Sequence, residues 1–173
     1  MKRVSIIGCP GAGKTTFSRE LSHSTGLPLI HLDRIYHDEA YSYQNDKDSW
    51  RSRVLSEVKK KQWIIDGNYK STFDIRLPKS DTIIFLDYPT YLSVWRAIKR
   101  RMYFHKRVRE DMPPTWKERL GWNFFMFILK FNRSIAPHMR QSLKSYTDEN
   151  IVILRSSQQA KKYLVECELS SKI

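Results

Sequence analysis

The chain has 173 residues, 28% of them charged, with 31 Lys and Arg against 18 Asp and Glu and a formal net charge of +13. That length and mixture suit one folded domain large enough for a sheet covered by helices, and they point to a globular rather than a disordered chain. The basic excess calls for a polyanionic ligand, either nucleoside phosphates or nucleic acid, and no apolar run reaches the roughly 18 residues of a membrane span.

The longest apolar stretch, Leu120 to Leu129, contains Gly121 and Asn123 and is bounded by Arg119 and Lys130. Met1 to Cys9 faintly imitates a bacterial lipoprotein signal, with an apolar part too short for export. Cys9 and Cys167 stand at opposite ends with no Cys-x-x-Cys or Cys/His cluster. Neither a disulfide framework nor a zinc site is therefore expected, and a reducing cytoplasm is the natural setting.

In chain order, an apolar run at about residues 3–8 reads as a buried strand. It leads into Gly8-Cys9-Pro10-Gly11-Ala12-Gly13-Lys14-Thr15, which fits G-x-x-x-x-G-K-[ST], the phosphate-binding P-loop. Thr16 to Leu21 continues as a helix with Phe17 and Leu21 on one face, stopping near Gly26. In this motif glycines let backbone N–H groups wrap a phosphate, Lys14 reaches the β/γ-phosphates, and the Thr15 hydroxyl ligates Mg²⁺. Gly8, Pro10, Gly11, Ala12, Gly13, Lys14, Thr15 and Thr16 are thus the expected nucleotide-binding residues. Cys9 lies inside this loop, where positive potential favours a thiolate open to oxidation; the alternative is an inert small filler.

Leu29 to Leu32 reads as a second strand ending at Asp33, followed by a polar, Tyr-rich stretch and an amphipathic helix from about Asp48 to Lys60. Trp63 to Ile65 is a third strand closed by Asp66-Gly67, and Thr82 to Leu86 a fourth closed by Asp87-Tyr88-Pro89. A helix from about Thr90 to His105 precedes a basic, proline-containing segment, with more helix from about Glu118 to Ser145. Ile151 to Leu154 is the fifth strand, and Ser156 is a plausible N-cap for a last helix. Apolar strands alternating with helices predict an α/β fold, a five-stranded parallel sheet with helices on both faces. Ligands bind such sheets at the carboxyl ends of the strands, where Asp33, Asp66 and Asp87 stand.

Four blocks resemble the adenylate kinase-like group of small P-loop kinases, and within it the family labelled "topology modulation protein": Ile7 to Thr16, His31-Leu32-Asp33-Arg34, Ile64 to Tyr69, and Ile84 to Pro89. Trp95 to Arg101 resembles the helix leading into the adenylate kinase lid, so the likeness spans nearly the whole chain. It implies one kinase-like domain over 1–173 with a short lid at about 104–118. It also implies Arg96 stacking on adenine, Arg100 contacting phosphate, and Arg107, Arg109 and Arg119 in a lid that excludes water. Asn68-Tyr69-Lys70 departs from the Phe-Pro-Arg run of adenylate kinases, which argues against an AMP-like acceptor.

Residue chemistry points the same way. Asp66 is followed by Gly67 and Asp87 by Tyr88, so neither is paired with the Glu that orients water in P-loop hydrolases, and no [NT]-K-x-D guanine motif occurs. Asp66 is the expected Walker B residue, holding Mg²⁺ through a water opposite Thr15; alternatively it caps the following turn. Asp33 is expected to orient an acceptor hydroxyl or take its proton, or else to bond backbone or Arg34. Asp87 is expected to be structural. Arg96, Arg100 and Arg107 share one face if the helix continues that far, the alternative being a solvated basic helix. Trp122, Phe124, Phe125, Phe127 and Phe131 make an all-round apolar helix, expected in the core, with a subunit contact or acceptor wall as alternatives. Tyr36, Tyr41, Tyr43 and Tyr69 line either an acceptor site or a surface loop. Lys14, Asp33, Arg100 and Arg109 are the expected catalytic residues. The expected function is ATP- and Mg²⁺-dependent phosphoryl transfer to a nucleotide or similar small molecule, the alternative being a nucleic-acid-binding P-loop ATPase or regulator.

Overall fold

In this computed structural model residues 1–37, 43, 46–103, 122–144, 146 and 151–171 are described, the side chains of 100, 101, 122–124, 132, 142 and 171 excepted. The strands are β1 (Arg3–Gly8), β2 (Leu29–His31), β3 (Trp63–Asp66), β4 (Thr82–Leu86) and β5 (Ile151–Leu154). They form one parallel sheet in the order β2-β3-β1-β4-β5. The helices are α1 (Lys14–Thr25), α2 (Leu32–Tyr36), α3 (Lys47–Val58), α4 (Phe73–Arg76), α5 (Thr90–Tyr103), α6 (Trp122–Lys130), α7 (Ala136–Leu143) and α8 (Ser157–Ser171).

The strands are apolar on both sides because both faces are covered. Along β3, Ile64 joins the cluster built on Phe17 and Leu21 of α1. Its neighbours Trp63 and Ile65 join the opposite cluster with Trp50, Val54 and Val58 of α3. This alternation, with period two, puts helices on the two faces as expected. The lengths of the elements follow from local chemistry. The Asp46 carboxylate accepts from the backbone N–H of Asp48 and Ser49, starting α3. Gly26, left-handed at φ 70°, returns its N–H to the Ser22 carbonyl and ends α1. The Ser156 hydroxyl accepts from the Gln159 N–H at 3.2 Å, the N-cap expected for α8.

Two boundaries differ from expectation. The second strand stops at His31, and Leu32 to Tyr36 coil into a helical turn with Leu32 fully buried. Asp33 therefore sits in a helical first turn, where its negative charge suits the amide ends. The helix expected from about Glu118 to Ser145 is also not continuous over its described part. Phe131–Ile135 is a π-helical turn, and α7 begins with Pro137 near its start. Proline supplies no N–H to the preceding turn, so the backbone widens just before it. Ile128 and Phe131 are core residues, whereas Phe127 is 42% exposed. Among the described side chains of α6 and the turn after it, burial is therefore confined to Ile128 and Phe131.

Candidate active site

The loop after β1 turns through two left-handed glycines, Gly11 at φ 84° and Gly13 at φ 88°. Between them Ala12 is buried, and its N–H donates to the Cys9 carbonyl at 3.0 Å. Gly13 opens α1. Among the described residues no side chain caps that helix and no acidic residue lies in its first turn. The amide positive potential at its head therefore points out of the loop toward any bound anion. The Lys14 ammonium folds back over the loop, donating to the carbonyls of Gly8 at 3.0 Å and Cys9 at 3.2 Å. Pro10 is half-buried and Thr16 exposed at the rim.

Cys9 is 1% exposed, and burial pushes its thiol up to about 11 despite the nearby Lys14 charge. At neutral pH it is a protonated core residue. The inert-filler reading describes it, and the thiolate reading does not.

Parallel pairing of β1 with β3 sets Ile6 opposite Asp66, and pairing of β2 with β3 sets His31 opposite the same residue. That register brings three chain segments to one carboxylate. Oδ2 of Asp66 accepts from the Thr15 hydroxyl at 3.3 Å and faces Nδ1 of His31 at 3.2 Å. Oδ1 is buried without a hydrogen-bond partner. An orphaned buried carboxylate oxygen is costly unless something else meets it. A hydroxyl and a carboxylate oxygen are hard donors of the kind Mg²⁺ takes together with waters and phosphate oxygens. Thr15 and Asp66 fit that ion.

The residues after Asp66 hold the loop from behind. The Asn68 side chain accepts from the Gly8 N–H at 3.0 Å and donates to the Gly8 carbonyl, a two-way clamp on the point where β1 becomes the phosphate loop. Arg76, fully buried, donates to the Gly67 carbonyl and lies over the Phe73 ring at 4.8 Å. Burial lowers its guanidinium to about 9 while the Asp66 charge acts to raise it. Thus Asp66, Gly67 and Asn68 each carry a separate contact. No sequence pattern assigns a role to His31, Asn68 or Arg76. Their partners lie 35, 60 and 9 residues away, and no spacing pattern marks such contacts. Replacing Asn68 by Ala removes its bond from the Gly8 N–H and leaves the Gly8 carbonyl to Lys14. The expected result is an ATP KM raised about five- to tenfold with a smaller change in kcat, and about 1–2 kcal/mol of stability lost, read by ATP titration and urea unfolding.

Asp33 lies two residues beyond His31, beside the Tyr69 hydroxyl. Burial, and then the Asp33 charge and hydrogen bond, push the Tyr69 hydroxyl far up, so it remains a proton donor. The rings of Tyr36 and Tyr69 stand 4.7 Å apart, and both pack on Trp50 at 5.0 and 4.9 Å. Tyr43 joins from the other side at 5.8 Å. These tyrosines belong to the α3-side core and its margin; Tyr41 lies outside the described residues.

Arg96 is committed to the loop. It donates to the Ala12 carbonyl at 2.7 Å and the Ser157 hydroxyl at 2.8 Å, and its guanidinium lies 5.1 Å from the Tyr88 ring centroid. It thereby joins the phosphate loop to the start of α8. Arg100 is on α5, but its side chain, the segment 104–118 expected to form a lid, Arg107, Arg109 and Arg119 lie outside the described residues. Asp87 is structural: Arg140 of α7 grips it with two bonds, at 3.0 and 2.6 Å.

Together the sheet order, the glycine loop and the Asp at the end of β3 define the P-loop fold of the nucleoside monophosphate kinase-like type. No protein-family model and no curated protein sequence matches the chain. Solved structures share its architecture. Shikimate kinase from Acinetobacter baumannii, in complex with shikimate, is similar with a TM-score of 0.62 at 15% identity, over 100% of this chain and 96% of that one. A gluconokinase from Sinorhizobium meliloti 1021 superposes with a TM-score of 0.57 at 11% identity, over 99% and 91%. Deoxyadenosine kinase from M. mycoides with bound dATP gives 0.54 at 17% identity, over 96% and 98%.

Proposed function

We propose that this protein is a Mg²⁺- and ATP-dependent kinase that transfers a phosphoryl group to a small-molecule acceptor. The observation that carries the reading is the pairing of Thr15 with Asp66, whose second oxygen is buried and unpartnered, directly beside the phosphate loop. The structures it resembles, named as kinases of shikimate, gluconate and deoxyadenosine, support the same reaction class.

The chain's own residues divide the work. Loop amides and Lys14 bind the polyphosphate and offset charge building on the transferring group. Thr15 and Asp66 would hold Mg²⁺, which would supply positive charge to offset that of the phosphates. Arg96 and Asn68 keep the loop in register with α8 and β1. Asp33 orients the acceptor, and Gly67 after Asp66 leaves no carboxylate to align a water, favouring transfer over hydrolysis. The adenylate kinase-like resemblance further assigns Arg100 and Arg109 to phosphoryl transfer and a lid to about 104–118 of a single domain spanning 1–173; the Arg100 side chain and residues 104–118 lie outside the described residues.

The reading is tested by ADP formation with Mg-ATP and an acceptor panel. Asp66→Asn is expected to raise the Mg²⁺ concentration for half-maximal rate by about 10- to 100-fold. An unchanged Mg²⁺ titration removes Asp66 from the metal site.

A further inference from the structure

Resting on the kinase reading above, we infer that the acceptor is an uncharged ring compound offering a hydroxyl, a nucleoside or a sugar, rather than a nucleoside monophosphate. Three features of the acceptor side carry this.

The first is the charge at its centre. Asp33 stands beyond the end of β2, where His31 meets Asp66, and its charge acts on the neighbouring Tyr69 hydroxyl. A carboxylate there accepts a hydrogen bond from an alcohol and repels a phosphate.

The second is the wall. Tyr36 and Tyr69, each half-buried, present rings 4.7 Å apart against the buried Trp50. Flat faces fixed from behind suit the face of a base or of a sugar ring.

The third is where the neighbouring cations go. Arg51 makes a two-pronged pair with Asp74. Arg53 and Lys60 both engage the buried Glu57. Arg76 is enclosed beneath Gly67. His37, one turn after Asp33, is driven toward its neutral form by burial, although Asp33 opposes this. A phosphate on the acceptor would need arginines of the bidentate kind, and those of α3 and α4 are already occupied, which leaves the exposed Arg34 of α2 among the described residues around Asp33.

In the reaction Asp33 takes the acceptor's hydroxyl proton as that oxygen bonds to the γ-phosphorus. The bond from the γ-phosphorus to the β–γ bridging oxygen breaks, its electron pair leaves with ADP, and Asp33 returns the proton to solvent.

The test is ADP release from Mg-ATP by the full chain in separate arms. Adenosine and thymidine represent nucleosides, D-ribose and myo-inositol the sugar-like rings, and AMP and TMP the phosphate-bearing counterparts. At least one neutral arm is expected to turn over, with kcat/KM about tenfold or more above its monophosphate where one is present. Which neutral arm responds separates nucleoside from sugar. Asp33→Asn should lower that rate about 100-fold while the Kd for ATP, measured by calorimetry, moves less than about twofold. Tyr69→Phe, which keeps the ring, should retain acceptor binding better than Tyr69→Ala. Faster turnover of AMP or TMP, no neutral turnover with ATP bound, or equal loss of ATP affinity and rate in Asp33→Asn overturns the inference. Absence of ATP binding by the unaltered chain is the separate result that overturns the kinase reading itself.

Discussion

Lys14→Ala is expected to lower ATP-dependent kcat/KM by about 10²- to 10³-fold, the scale of losing one fixed charge-stabilising group from a phosphoryl-transfer site. In the structure the ammonium rests on the carbonyls of Gly8 and Cys9, which marks its reach across the mouth of the loop. With phosphate present, a full positive charge gains more from anionic oxygens than from two neutral carbonyls, so the side chain moves to the ligand. Losing these two bonds costs little stability, because the Gly8 carbonyl keeps the Asn68 amide and the Cys9 carbonyl keeps the Ala12 N–H. Rate and fold should therefore separate: kinetics collapse while the urea midpoint stays nearly constant. A Lys14→Ala variant that binds and turns over normally would remove the phosphate loop from the mechanism. Lys14→Arg keeps the charge but spreads it over a larger planar group, so it should recover only part of the rate.

Gly11→Ala should damage both fold and nucleotide binding. A Cβ at Gly11 would stand 2.3 Å from the Ser93 carbonyl oxygen and 3.1 Å from its carbon. Ser93 is in the first turn of α5 and is fully buried. The obstacle is backbone held in a helix, so relief requires the loop or α5 to shift. The left-handed conformation at φ 84° adds a further cost of about 1–2 kcal/mol for any side chain. A total loss of about 3 kcal/mol or more is expected in urea unfolding, with ATP affinity falling about 100-fold as the amides lose alignment. Gly26→Ala supplies the control. Its φ is 70°, yet nothing lies within 4 Å of an added Cβ. It should cost only the conformational term, about 1 kcal/mol, and leave ATP binding unchanged. If the two alanine variants behave alike, the packing of the loop on α5 is not what demands glycine.

The Gly11 geometry also revises why the motif needs glycine here. The motif by itself ties the glycines to backbone N–H groups wrapping a phosphate. At Gly11 the close approach is to the protein itself, and Arg96 reinforces it by bonding Ala12 from the same helix. The phosphate loop is thus braced by α5 on one side and by Asn68 on the other.

Much of this was legible in the residues. Five apolar runs with helices between them specify a parallel sheet, because only strands covered on both faces are apolar throughout. The motif at Gly8 to Thr15 specifies a phosphate loop because its glycine, lysine and hydroxyl positions are local and chemically constrained. The carboxyl-end rule for such sheets singles out Asp33 and Asp66 without coordinates. Local chemistry also marks Gly26 as a stop and Ser156 as a start. Each of these depends on neighbours within a few positions, which is the range over which sequence order and space coincide.

Other features exist only after the sheet assembles. That Asp66 faces both Thr15 and His31 depends on β3 lying between β1 and β2, an order unrelated to chain order. Asn68 acts on Gly8 across 60 residues, and Arg140 on Asp87 across 53. Burial of Arg76 goes against its residue type, and the enclosing core rather than any periodicity decides it. Arg96 reads as a ligand arginine on a basic helix, yet folding delivers it to a backbone carbonyl of the phosphate loop and a hydroxyl of α8. The amino-acid order by itself determined the architecture and the phosphate cradle, since both are written in short-range pattern. Strand register and helix packing decided which side chains brace that cradle and which remain for an acceptor, because those contacts join segments that meet only in the folded chain.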